Sequence, residues 1–80
     1  MAETLYEGPA HEATFYAPSG GMVRFGFSDP RAGGYVRTPK GALERVTPGT
    51  RLFLPSGRHV LTLYDPKLET RVRIRFGEDV

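Results

Sequence analysis

The sequence predicts a small all-β domain, built as an antiparallel β-sandwich with a small β-barrel as the alternative. Three observations lead there. The closing run Thr70-Arg71-Val72-Arg73-Ile74-Arg75-Phe76 alternates strictly, with Val72, Ile74 and Phe76 on one face and Arg71, Arg73 and Arg75 on the other. A period of two residues marks a strand with one face in a core and one in solvent. Short runs of this kind recur along the chain between clusters of Gly, Pro and Asp, the spacing expected of a sandwich or small barrel. The longest stretch free of Gly and Pro, Lys67–Phe76, contains that alternating run, which leaves little room for helix.

In chain order, His11–Ala17 is the first predicted strand and leads into a turn at Pro18-Ser19-Gly20-Gly21. Met22–Ser28 follows, with Val23, Phe25 and Phe27 on one face and Met22, Arg24, Gly26 and Ser28 on the other. The loop Asp29-Pro30-Arg31-Ala32-Gly33-Gly34 is the strongest breaker in the chain. Tyr35–Thr38, a turn at Pro39-Lys40-Gly41, Ala42–Val46 and a turn at Thr47-Pro48-Gly49 come next. Arg51–Leu54 and Arg58–Tyr64 read as one strand pair across Pro55-Ser56-Gly57, and Arg58–Tyr64 and Thr70–Phe76 as a second across Asp65-Pro66. Residues 58–64 carry Leu61 and Leu63 on one face and Val60 and Tyr64 on the other, which suits an interior strand or a face that a partner covers. Prolines fall at strand ends and turns, where no ladder donor is lost.

Eighty residues with an apolar share of 39% make one domain, residues 1–80, near the lower size at which a single core supports itself. The absence of cysteine excludes disulfides and thiolate chemistry. His11 and His59 are the only imidazoles, and no carboxylates stand at a metal-site spacing beside them, so neither a metal nor a cofactor is expected. No run approaches the roughly 20 apolar residues of a membrane span. The acidic start, Met1-Ala2-Glu3-Thr4-Leu5-Tyr6-Glu7, lacks the basic and apolar regions of a signal peptide, so the chain is expected in the cytoplasm or in a particle assembled there. Asparagine, glutamine and tryptophan are also absent, and arginine outnumbers lysine nine to two. Depletion of the amides fits a thermostable protein, while a GC-rich genome produces the same bias.

The net charge of +2 conceals a pattern: all eleven basic residues lie between Arg24 and Arg75, and residues 1–12 and the tail carry only acids. Such ends can reach the basic body of another copy or fold over their own strands. The sharpest candidate site is the stripe Arg71, Arg73 and Arg75, whose guanidinium groups stand about 7 Å apart along one strand face and can grip acidic side chains or track phosphates. The competing reading is a solvated outer face whose charge discourages edge pairing. Arg31 and Tyr35 flank the 29–34 loop and are contact candidates because such loops often carry binding. Tyr64, with Tyr6 and Tyr16, is a candidate interface anchor, and Arg58 or Arg24 is the natural companion of the stripe in any nucleic-acid reading. That reading ranks lower, since no aromatic platform is interleaved with the basic residues in the sequence. Ser56 and His59 invite a hydrolase reading, but no orienting acid or oxyanion pocket accompanies them, and His59 shares the face of Leu61 and Leu63, as a partly buried core-edge residue does. The paired glycines at 20–21 and 33–34 lack the Gly-Lys-Ser/Thr of a phosphate cradle and read as turn residues.

Pro18-Ser19-Gly20 before Met22-Val23-Arg24-Phe25, then Thr47-Pro48 and Leu52-Phe53-Leu54-Pro55-Ser56-Gly57-Arg58-His59-Val60-Leu61, resemble the PEGA domain, a small bacterial and archaeal β-sandwich module. The resemblance covers roughly residues 16–76 and is concentrated in 47–66; the family's Asp-Gly turn after the first alternating strand is missing, and segment 26–46 is longer than usual. It implies an Ig-like or PEGA-like sandwich that acts as an appended structural or surface-binding module. A solitary, non-catalytic β domain of this size acts by binding. The first expectation is a protein-binding subunit of a larger particle, such as a decoration or connector protein of a phage virion, with copies of itself or an assembly as partner. The alternatives are a PEGA-like envelope or cell-surface module and a small nucleic-acid-binding barrel.

Overall fold

Eight short strands and no helix make up the described residues, 2–80, of the computed structural model. They are β1 (Glu3–Pro9), β2 (Ala13–Ala17), β3 (Gly21–Phe27), β4 (Gly34–Arg37), β5 (Leu43–Val46), β6 (Arg51–Leu54), β7 (Gly57–Leu63) and β8 (Arg71–Phe76). All pairings are antiparallel, in two four-stranded sheets: the first in the order β1-β8-β3-β6, the second in the order β2-β7-β4-β5. Each sheet ends in two edge strands instead of closing on itself, so the fold is a sandwich and not a barrel.

The alternation seen in the sequence builds the core. Val23, Phe25, Leu54, Val72 and Ile74 project from the first sheet, and Phe15, Val36, Val46 and Leu61 from the second, all of them buried. Phe15 and Phe25 meet edge to face, with centroids 5.9 Å apart. Burying side chains of this size is worth about 1.5–3 kcal/mol each, which makes this layer the main stabilising element of a chain without disulfides.

The strand pairs differ from the sequence expectation. β6 pairs with β3, β7 with β2 and β4, and β8 with β1 and β3, so neither expected pair in the C-terminal half forms. Only β4 and β5 make a local hairpin; every other connection crosses to the opposite sheet. The cause is that consecutive strands cover the same core from opposite sides, β6 with Leu54 and β7 with Leu61 and Leu63. Turn residues announce a reversal but not the sheet the chain enters next. β7 does lie inside its sheet, as its two-sided apolar pattern predicts.

Strand β1 was not expected. It is a polar edge strand, with a bulge between Thr4 and Tyr6, so it carries no clean alternation. Chain entry into β2 is correspondingly later than predicted: His11 and Glu12 form a turn, with Glu12 at φ 52°. The other boundaries shift by about one residue.

Polar contacts hold the ends of the first sheet. Thr70 accepts a hydrogen bond from the Asp29 N–H at 3.2 Å and shares a hydroxyl contact with Ser28, whose Oγ accepts from the Arg71 N–H at 3.0 Å. The Thr70 carbonyl accepts from Ala10, tying β1, β3 and β8 together at one end. Towards the same end of β3, Thr47-Pro48-Gly49-Thr50 is a tight turn, closed by Thr50 N–H to Thr47 O at 3.0 Å and tied to β3 by Gly49 N–H to the Phe25 carbonyl at 2.7 Å, with Gly49 at φ 87° in the position that glycine favours. These contacts fix the frame on which both outer faces are displayed.

Candidate interaction surfaces

The arginine stripe predicted from the sequence lies on the outer face of the first sheet, and the fold enlarges it. In register, Arg24 stands opposite Arg75 on one side and Arg51 on the other, which sets three guanidinium groups abreast across β8, β3 and β6. Arg71 and Arg73 continue the face along β8. Like charges directly opposite on a sheet repel one another, and Asp79 brings one of the chain's own carboxylates beside the row. Gly26 sits next to Arg24 on the same face, opposite Arg73, and leaves a hollow of about 300 Å³ lined by Arg24, Arg73 and Arg75 with Asp79 and Val80 at its margin. Arg75 is half-buried there, and its Nε is enclosed without a hydrogen-bond partner. Glu7 on β1 pairs with Arg73 at 2.9 Å. At Glu7, therefore, the acidic N-terminal strand pairs with the chain's own basic strand.

The outer face of the second sheet is chemically different. Its outward positions include Tyr16 opposite Arg58, and Tyr35 opposite Arg45 on one side and Thr62 on the other. Arg37 faces Val60 and Leu43 in the next row. Tyr64, just beyond β7, is held in line by its N–H to the Gly33 carbonyl at 2.9 Å, and its ring lies 5.9 Å from that of Tyr35. The Arg45 guanidinium sits 6.0 Å above the Tyr64 ring, at the outer limit of a cation–π contact. Tyr16 is 63% exposed, Tyr64 54% and Leu43 55%. No Asp or Glu occupies an outward strand position on this face; Glu12, Glu44 and Asp65 stand at its margins.

The fold thus divides the predicted residues into two groups: Arg71, Arg73 and Arg75 on one face, and Arg58, Tyr35 and Tyr64 on the opposite one. Arg58 cannot accompany the stripe, because it projects from the other sheet; Arg24 can, and Arg51 joins it. No tyrosine joins the Arg71, Arg73, Arg75 stripe; Tyr16, Tyr35 and Tyr64 stand instead with Arg58, Arg45 and Arg37 on the opposite face, as an aromatic and basic platform away from it. Four strands supply these side chains, so no single window of the sequence contains the platform. Arg31, on the 29–34 loop, is committed locally: its Nη2 and Nε both reach the Asp29 carboxylate, at 2.8 and 3.1 Å, and its N–H donates to the same group. These hydrogen bonds hold the Asp29 pKa down at about 2.

The Ser56 and His59 pair does not assemble. Ser56 is exposed, whereas His59 is fully buried on the inner face of β7, stacked on Phe15 at 5.1 Å with Nδ1 3.0 Å from the Gly57 carbonyl. This also corrects the expectation of a partly buried His59. Burial pushes its pKa below the ordinary value of 6.5, so the ring is neutral in the fold. Among the described residues no cluster of three or more His, Cys, Asp or Glu could hold a metal, and no helix is long and apolar enough to cross a membrane. No family model matches this chain, and neither a curated protein nor a solved structure does.

Proposed function

We propose that the protein is a non-catalytic assembly module that binds an acidic protein surface through the outer face of its first sheet, as a small subunit of a larger particle. A virion decoration or connector protein is the kind of particle its size suits. One observation carries the reading: Arg75, Arg24 and Arg51 stand abreast in register. A repulsive row of this kind is relieved when carboxylates of a partner enter between the guanidinium groups, where bidentate hydrogen bonds are available. The Glu7–Arg73 pair is a local instance of the same recognition, made by the chain's own edge strand.

Light scattering coupled to size-exclusion chromatography tests the self-assembling form, across a concentration series at about 50 and about 500 mM salt, ionic strengths that weaken exposed pairs to different degrees. The expected result is an assembly that dissociates with salt and is lost in the variant Arg71→Ser, Arg73→Ser, Arg75→Ser while the far-ultraviolet spectrum is unchanged. A monomer under every condition removes self-assembly.

A further inference from the structure

The geometry points to a second binding surface with a different ligand: the outer face of the second sheet takes single-stranded nucleic acid. Its side chains take no part in the acidic-surface contact proposed for the first sheet. Tyr16 and Tyr64 present rings to solvent, Tyr35 is half-buried beside Tyr64, and Arg58, Arg37 and Arg45 stand among them on adjacent strands. Sequence-tolerant binding of single strands needs two things at once, flat aromatic surfaces for bases and cations along the backbone path. This face supplies both, and its outward strand positions hold no carboxylate to repel phosphate.

Geometry sets the length of strand. Tyr35 and Tyr64 form one stacking position, and Tyr16 lies two strands and four residues away along β7, about 16 Å by strand spacing and rise. A short oligonucleotide spans that distance, with Arg37 and Arg58 beside its path. Arg45, over the Tyr64 ring, is placed to move onto a phosphate when a base takes its position.

A protein partner fits this face less well. Val60 and Leu43 are its only aliphatic outward residues, and Thr14 and Thr62 are polar, so a protein would have to bind through the same tyrosines and arginines without an aliphatic centre. Duplex DNA also fits poorly, because a flat sheet face offers no helix or two-stranded ribbon to enter the major groove. The first sheet's arginine face has charge but a single aromatic side chain at an outward position, Phe53 on β6, 70% exposed, against three on the second sheet, so it offers a less complete stacking surface.

Because three of the four tyrosines lie on this surface, with Tyr6 on β1 the exception, and the chain has no tryptophan, tyrosine emission reports mainly on this surface. The experiment titrates the intact protein with an oligothymidylate of about 12 nucleotides, within the usual site size of single-strand binders. Inorganic polyphosphate and polyglutamate serve as comparison polyanions. The expected result is quenching of tyrosine emission by the oligonucleotide alone, with an affinity that falls steeply with salt. Replacing both Tyr35 and Tyr64 by Ala should weaken binding at least tenfold, the loss expected when one base-stacking position is removed. Replacing them by Phe should restore it, which separates stacking from any effect on the fold. The triple serine variant of the stripe should bind the oligonucleotide within about threefold of the parent, a result independent of whether the assembly reading survives. Absence of oligonucleotide binding at low salt overturns the proposal. So does equal binding of polyphosphate or polyglutamate without dependence on the tyrosines.

Discussion

His59 shows how a single polar residue sets a limit on this fold. Its ring is buried against Phe15 in the centre of the sandwich, with Nδ1 at the Gly57 carbonyl and Nε2 enclosed without a hydrogen-bond partner. The geometry makes Nδ1 the protonated nitrogen of a neutral imidazole. Protonating Nε2 as well would place a charge where nothing receives it. In the unfolded chain the ring takes up its second proton near pH 6.5, whereas in the fold it does so only at a lower pH. The unfolded state therefore binds more protons in that window, and stability is lost as pH falls below 6.5 toward the depressed native value. Urea melts at a series of pH values between about 8 and about 5 should show a midpoint that is level above the window and declines within it. His59→Phe keeps the stack on Phe15 and removes the titrating group, so its midpoint should decline less. An identical slope in the variant would assign the acid sensitivity to other residues.

At the scale of elements, strand positions were legible and strand partners were not. Seven of the strands announce themselves by alternation or by flanking turn residues, because burial on one side of a sheet imposes a period of two. β1 leaves little such record, since an edge strand with a bulge and exposed glutamates buries little. Partner choice is settled by which sheet covers which side of the core, and that is a property of the assembled chain. The same limit hid the tyrosine–arginine platform, whereas the Arg71, Arg73, Arg75 stripe was visible because one strand carries all of it. Gly34 is a case where local reading was right about the residue and wrong about the reason. It was expected as a turn glycine, but it is the first residue of β4, buried, and a Cβ there would run into the backbone of Thr62 on β7. Gly34→Ala should therefore force β4 and β7 apart and cost about 1–3 kcal/mol or more. At Gly33 an added Cβ would come no closer than 3.4 Å to any neighbour, so Gly33→Ala should cost less than about 1 kcal/mol. Thermal or urea melts of the two variants, side by side, test the contrast; equal losses would mean that the close approach at Gly34 does not govern the pairing.

At the scale of the whole molecule, charge is distributed against stability. The net value is only +2, yet both broad faces are basic, and the acids are gathered at the ends and margins. Arg24 occupies the most repulsive position, flanked in register by Arg75 and Arg51. Opposed like charges on a sheet destabilise by roughly 0.2–1 kcal/mol per pair, and the repulsion is screened once the Debye length falls to a few ångströms. Two outcomes should follow together. The parent protein should become more stable as salt rises from about 20 mM to about 500 mM, apart from any general effect of the salt on burial. Arg24→Thr, which places a β-branched, neutral residue between the two remaining guanidinium groups, should be more stable than the parent at low salt by up to about 1–2 kcal/mol, and the gap should narrow as salt is added. Sodium chloride is the appropriate salt, because sulfate and phosphate strengthen burial and bind arginine in their own right. A variant that is no more stable than the parent at low salt would show that the arginines splay far enough apart to avoid one another, and the row would then impose no strain for a partner to relieve. A gain that shrinks with salt would locate in three residues a repulsion that the isolated fold tolerates and a carboxylate-bearing partner removes.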